Sequence, residues 1–217
     1  MSQTCYMCDN TATSTEHAPP KCFFPEQSVV GKDLRRNLVT VPSCDAHNSL
    51  KSKDDEYLRF VILLASGTQS AVAKTHFFDK VLRAVTRRPY SHSAFVEPLG
   101  LRLDVGEICA IDLPRFNRGM EALGAALHLH EFGAKLQSPV RVISPNLFVR
   151  EDDRVKVPSV HEQAIATTRE FLASAPIRGD NGEVFMYRAR RDEASGSFAF
   201  AAVFYEAFEV FGASVVE

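Results

Sequence analysis

Cys5-Tyr6-Met7-Cys8, then Glu16-His17-Ala18-Pro19-Pro20, then Cys44-Asp45-Ala46-His47-Asn48 are the segments whose reading decides the fold. Two pairs of metal-type ligands at x-x spacing bracket a Glu-His step. A C-x2-C turn presents two sulfurs to one ion, and a second pair completes a tetrahedron. The spacing predicts a structural zinc held by Cys5, Cys8, Cys44 and His47. The gap between Cys8 and Cys44 is longer than a simple zinc ribbon needs, so a further element is inserted between the knuckles.

Working outward, residues 1–12 read as a knuckle with Asp9-Asn10 as turn residues. Pro19-Pro20, Pro25 and Gly31 make residues 18–36 an irregular loop. Asn37 to Pro42 is a short β-prone run. A helix is expected to start near Cys44–Asp45 and continue to Ala65, with Ser66-Gly67 as its stop. Apolar spacing predicts further helices over 69–87, 113–127 (Phe116, Met120, Leu123 and Leu127 forming one stripe, Gly133 ending it) and 161–173. Residues 140–143, 184–190 and 198–205 read as strands, with Phe198, Phe200, Ala202 and Phe204 on one face. The fold class is α+β: a zinc-pinned ββα module over residues 1–57, and a mixed helix and antiparallel-sheet domain over 58–217.

Composition limits the function. The 217 residues are 45% hydrophobic, with a net charge of −2, which suits a folded chain and not a disordered one. Proteins that hold DNA by neutralising many phosphates are usually strongly basic. Here residues 1–53 carry six basic residues (Lys21, Lys32, Arg35, Arg36, Lys51, Lys53) against five acidic ones. Nucleic-acid contacts would therefore be local. Five cysteines, an odd number, with no signal-type apolar start argue against a disulfide framework and for a cytoplasmic, reducing setting. Cys22 and Cys109 lie among apolar neighbours and read as buried thiols. No apolar run is long enough to span a membrane.

Glu16-His17-Ala18-Pro19-Pro20, Arg36-Asn37-Leu38-Val39, Cys44-x-x-His47-Asn48, Lys51 and Ser52 together resemble the HNH, or ββα-metal, endonuclease family. The resemblance covers residues 5 to about 57 and keeps the order of all three elements. It implies a phosphodiester hydrolase acting on nucleic acid, with DNA the family's usual substrate. His17 would be the general base, and its ordinary pKa near about 6.5 suits the role. Asn37 would orient it. Glu16 and Asn48 would hold one catalytic divalent ion, Mg²⁺ or Mn²⁺, through hard oxygen donors. Lys51 or Lys53 would touch substrate phosphate. Glu16 stands where the family often has Asp, and Asn48 where it often has His. Defence against foreign DNA is an analogy from stand-alone members. Two other readings stay open: a non-catalytic zinc module that binds nucleic acid or a partner protein, and an RNA-directed nuclease.

The other candidates take plainer readings. His128-x-His130 on a helix cannot share a metal, because residues two apart face different ways. Asp54-Asp55-Glu56 reads as a solvated helix face. Arg188, Arg190 and Arg191 read as strand-end surface. The second domain is expected to serve substrate selection, dimerisation or docking.

Overall fold

The computed structural model describes residues 3–66, 69–87, 111–147, 150–151, 154–155 and 159–214. Cys109, His92 and the stop signal at Gly67 lie outside them.

A hairpin-like pair organises the first segment. Strand β1 (Ser14–His17) runs antiparallel to β2 (Thr40–Ser43), with Glu16 opposite Val41 and His17 opposite Thr40. The connection contains a short helix, α1 (Gln27–Val30), ended by Gly31 at φ 77°, a conformation that favours glycine. The cysteine knuckle is stitched to this pair by backbone bonds from Tyr6 N to Pro42 O (2.9 Å) and Thr13 N to Ser43 O (2.9 Å).

The expected continuous helix after Cys44 is broken into parts. Asp45–His47 and Ser49–Lys51 form two 3-10 turns separated by Asn48 (φ −127°, ψ −80°). Only then does α2 (Ser52–Ser66) begin. Cys44 and His47 thus sit at the first 3-10 turn, ahead of α2.

Helix α3 (Ala71–Arg87) follows, and α4 (Leu113–Phe132) crosses α2. Asp112 caps α4 by accepting from Arg115 N at 3.0 Å, and Gly133 closes it in the left-handed region, as its sequence signals require. Arg115 then ties α4 to the start of α2: its Nε reaches Asp54 Oδ1 at 2.6 Å, its Nη2 reaches Lys53 O at 2.8 Å, and its guanidinium lies 4.4 Å from the Tyr57 ring centroid. Close packing of the two helices depends on Gly119, where a Cβ would fall 2.2 Å from Leu58 Cδ1.

The remaining strands are β3 (Arg141–Ile143), β4 (Arg150–Glu151), β5 (Arg154–Val155), β6 (Phe185–Arg191), β7 (Phe198–Phe204) and β8 (Phe208–Ser214). An antiparallel sheet takes the order β3-β8-β7-β6, while β4 and β5 pair separately. Phe198, Phe200, Ala202 and Phe204 are buried; Phe198 meets His128 and Phe200 meets Gly124 of α4, while Phe204 packs on Phe23 and Phe185. Ala199 and Ala201 face the other way, onto Leu172 and Ala175 just after α5 (Ser159–Phe171). Strand β8 is an addition to the sequence reading. Its turn carries two consecutive left-handed residues, Tyr205 (φ 50°) and Glu206 (φ 59°), without the Asn or Gly that usually announces such a turn.

One buried cluster runs from Cys5, Phe23 and Val41 through Tyr57, Leu58 and Leu123 to Phe200 and Phe208. The boundary expected at residue 57 thus falls inside α2, among residues buried in that shared core. Tyr205, wholly buried, donates its hydroxyl to the Phe23 carbonyl across 182 residues.

Candidate metal centre and adjacent cleft

The tight turn at 5–8 and the first 3-10 turn after β2 bring four ligand atoms together. His47 Nδ1 lies 3.5 Å from Cys5 Sγ, 3.6 Å from Cys8 Sγ and 3.4 Å from Cys44 Sγ, and the Cys8 and Cys44 sulfurs are 3.8 Å apart. Zinc holds thiolates at about 2.3 Å and an imidazole nitrogen at about 2.0–2.1 Å. A tetrahedron with those bonds sets sulfur–sulfur separations of about 3.8 Å and sulfur–nitrogen separations of about 3.5 Å. The donor set therefore fits one tetrahedral zinc, and the four residues expected from the sequence are the four that converge.

Local structure prepares the sulfurs. Burial raises the Cys5 thiol, but bonds from the Met7 and Cys44 amides and from the neighbouring side chains outweigh it and lower it to about 6. Cys8 moves up, despite an amide bond from Asn10, because desolvation and its sulfur neighbours oppose its charge. Cationic Lys135 closes the knuckle from outside, donating to Cys8 O at 2.7 Å and Asp9 Oδ1 at 3.1 Å.

A cleft opens beside the cluster, between the end of β1, the start of α2 and α4. Glu16, His17, Lys51 and Asp55 line it with Tyr6 and Leu123, and its internal volume of ≈ 20 Å³ admits about one water. Glu16 is 4% exposed. Lys51 Nζ lies 2.8 Å from Glu16 Oε1 and 3.0 Å from Asp55 Oδ1. Burial pushes both carboxyls up, against the pull of the ammonium. Burial also works against the charge on Lys51, but Asp55 and Glu16 overcome it and raise its pKa, so it is a cation at neutral pH. His17 is held below its usual pKa by burial and by Lys21, which leaves it neutral and able to take a proton at pH 7.

The remaining expected site residues stand elsewhere. Asn37, in the left-handed region at φ 47°, donates to Asp180 Oδ2 at 2.6 Å, so its amide is engaged with the loop before β6. Asn48 donates to Ser14 Oγ at 2.8 Å and Thr15 O at 3.2 Å, and it is absent from the cleft lining. Lys53 is exposed, and Lys51 is turned inward onto the two carboxylates. Of the two residues expected to hold a divalent ion, Glu16 is ion-paired with Lys51, and Asn48 is bonded to β1 through its Nδ2.

Sequence reasoning missed Asp55, read as part of a solvated face. The available signal was its i,i+4 spacing from Lys51, which pairs a helical acid with a base. Cys22 is partly buried, its thiol 3.8 Å from Asp55 O and pushed up to about 11 by burial, in line with a quiet thiol. His128 is buried with Nδ1 donating to Ala134 O at 2.8 Å, while His130 is exposed, and the two share no ligand. Arg188 and Arg190 bond to carbonyls of residues 171–175, fastening the end of α5 to the sheet.

No family model, curated protein or solved structure matches this chain. Among the described residues no helix is long and apolar enough to cross a membrane.

Proposed function

We propose that the chain hydrolyses a phosphodiester bond of nucleic acid, with DNA the substrate to try first and His17 the general base. The observation that supports this most is the placement of Glu16 and His17 together on the wall of one cleft, beside a Cys3His cluster. The antiparallel β1–β2 pair followed by α2 is in keeping with a ββα site. In the step, water loses a proton to His17 as its oxygen bonds to phosphorus. The bond from phosphorus to the leaving 3′ oxygen breaks, and that oxygen takes a proton from solvent. Zinc, held by Cys5, Cys8, Cys44 and His47, would fix the turn that carries Lys51 and take no part in the step. Residues 58–217 would select substrate or dock a partner.

The test is plasmid cleavage by zinc-loaded protein, with and without Mg²⁺ or Mn²⁺, and with RNA alongside. His17→Ala should lose about 100-fold or more, the usual share of a general base. Undiminished cutting by that variant would remove His17 from the mechanism.

The closed Glu16–Lys51–Asp55 set also favours a second reading, a zinc module that binds nucleic acid without cutting it. Mobility-shift binding that survives His17→Ala, with no cleavage under any metal, would select it.

A further inference from the structure

The Lys51 ammonium is held between two carboxylates in the wall of the cleft. Its side chain is 20% exposed, and the carboxylates it joins are 5% (Glu16) and 14% (Asp55) exposed. Both contacts are short, and each comes from a different element: Glu16 from β1, Asp55 from the first turn of α2. Removing the ammonium from a buried pair leaves an uncompensated carboxylate, which is strongly destabilising. A divalent ion arriving at Glu16 would have to expel this cation and shed its own water in a space that admits about one water molecule. Mg²⁺ sheds water reluctantly.

We propose that Lys51 is the resident cation of the Glu16–His17 cleft, occupying the position where the resemblance would put a divalent ion, and that it presents its ammonium to a substrate phosphate oxygen. The identity of the anion rests on the phosphodiester reading. The exclusion of the metal rests on the contacts of Lys51 and the small volume of the cleft. Asp55 positions the ammonium, and Glu16 serves as its counter-charge instead of as a metal ligand. Glu16 and Asp55 take two of the three N–H donors of the ammonium, which leaves one for a phosphate oxygen.

Two measurements on the zinc-loaded full chain test this. The first is Mn²⁺ titration followed by paramagnetic broadening of the ¹⁵N-labelled His17 ring. Wild type should show no broadening beyond that of Glu16→Gln. Lys51→Met, which keeps the length and removes the charge, should broaden, and Lys51→Met/Glu16→Gln should not. Zinc content and circular dichroism establish that each variant is folded. Where Lys51→Met fails to fold, broadening of wild-type His17 by Mn²⁺ decides alone: its presence overturns the proposal. A folded Lys51→Met that stays sharp would also overturn it. The second is cleavage in buffer stripped of free divalent ions after zinc loading. Wild type should keep its activity and Lys51→Met should lose about 100-fold, the usual effect of removing a charge-stabilising donor. An absolute requirement for added Mg²⁺ or Mn²⁺ overturns the proposal. Absence of cleavage under every condition sinks the phosphodiester reading instead, and the Mn²⁺ result still decides the role of Lys51 as resident cation.

Discussion

Lys135 reaches back 127 residues to Cys8, placing its ammonium 2.7 Å from the carbonyl of a sulfur ligand. The residue belongs to the loop that leaves α4, so the metal cluster is clamped by the second half of the chain. Its partner Asp9 is fully exposed and adds little, as screened surface ion pairs do. The carbonyl bond carries the clamp. Lys135→Met should cost about 1 kcal/mol in urea unfolding and speed zinc transfer to a chelator several-fold. Unchanged transfer kinetics would show that the knuckle holds itself.

Zinc removal should destabilise more than the first fifty residues. Cys5 and Val41 belong to the same buried cluster as Tyr57, Leu123 and Phe200. Chelation, or Cys44→Ser, should therefore lower the melting temperature of the whole chain in one transition, since a structural zinc contributes folding energy directly. Two transitions in calorimetry, with the upper one indifferent to chelator, would mean that the halves fold separately.

Phe200 is wedged between two glycines. A Cβ at Gly212 would lie 2.2 Å from its Cε1, and one at Gly124 would lie 2.7 Å from the same atom. The ring is wholly buried and cannot swing away freely. Gly212→Ala should cost about 1–3 kcal/mol by overpacking. Gly124→Ala should cost less, because alanine regains about 1 kcal/mol of helix propensity. Combining Gly212→Ala with Phe200→Leu should recover part of the loss in thermal melts. An additive double variant would show that the ring is not the obstacle.

His76 gives the fold an acid limit. It is buried, its Nδ1 3.2 Å from the Tyr205 hydroxyl, and burial with the nearby Arg59, Lys80 and Arg35 charges lowers it to about 3. The unfolded chain takes up the proton near pH 6.5, the folded chain only near 3. Stability is therefore fully present above about pH 6.5 and falls below it, by up to about 1.4 kcal/mol per pH unit from this group. His76→Gln should flatten that slope in denaturant midpoints measured from pH 7 to 4. A slope that persists in the variant would assign it to the other histidines whose folded pKa is lowered by burial, His17 and His128.

The ligands Cys5, Cys8, Cys44 and His47 were legible because zinc imposes an x-x spacing on the chain itself. The stripe on α4 was legible because helical burial imposes a period. The partner of Asn37 and the Glu16 partner of Lys51 were not. Asn37 meets Asp180, 143 residues away, and nothing local encodes that meeting. Asp55 looked solvated because three successive acids usually are, yet the turn of the chain at Asn48 swings it against Glu16 and Lys51. Strand β8 was missed because Tyr205-Glu206 lacks turn chemistry. The buried Tyr205 hydroxyl, bonded to Phe23 O, compensates for that backbone choice through a contact visible only in three dimensions.

That Tyr205–Phe23 contact has an evolutionary consequence. A small module spreads among genes when it can be cut out and attached to new neighbours. Here the loop inside the β1–β2 insertion reaches its final shape against the tip of a hairpin near the other end of the chain. The loop and the hairpin therefore depend on each other for their shape, and a substitution at one is expected to be felt at the other.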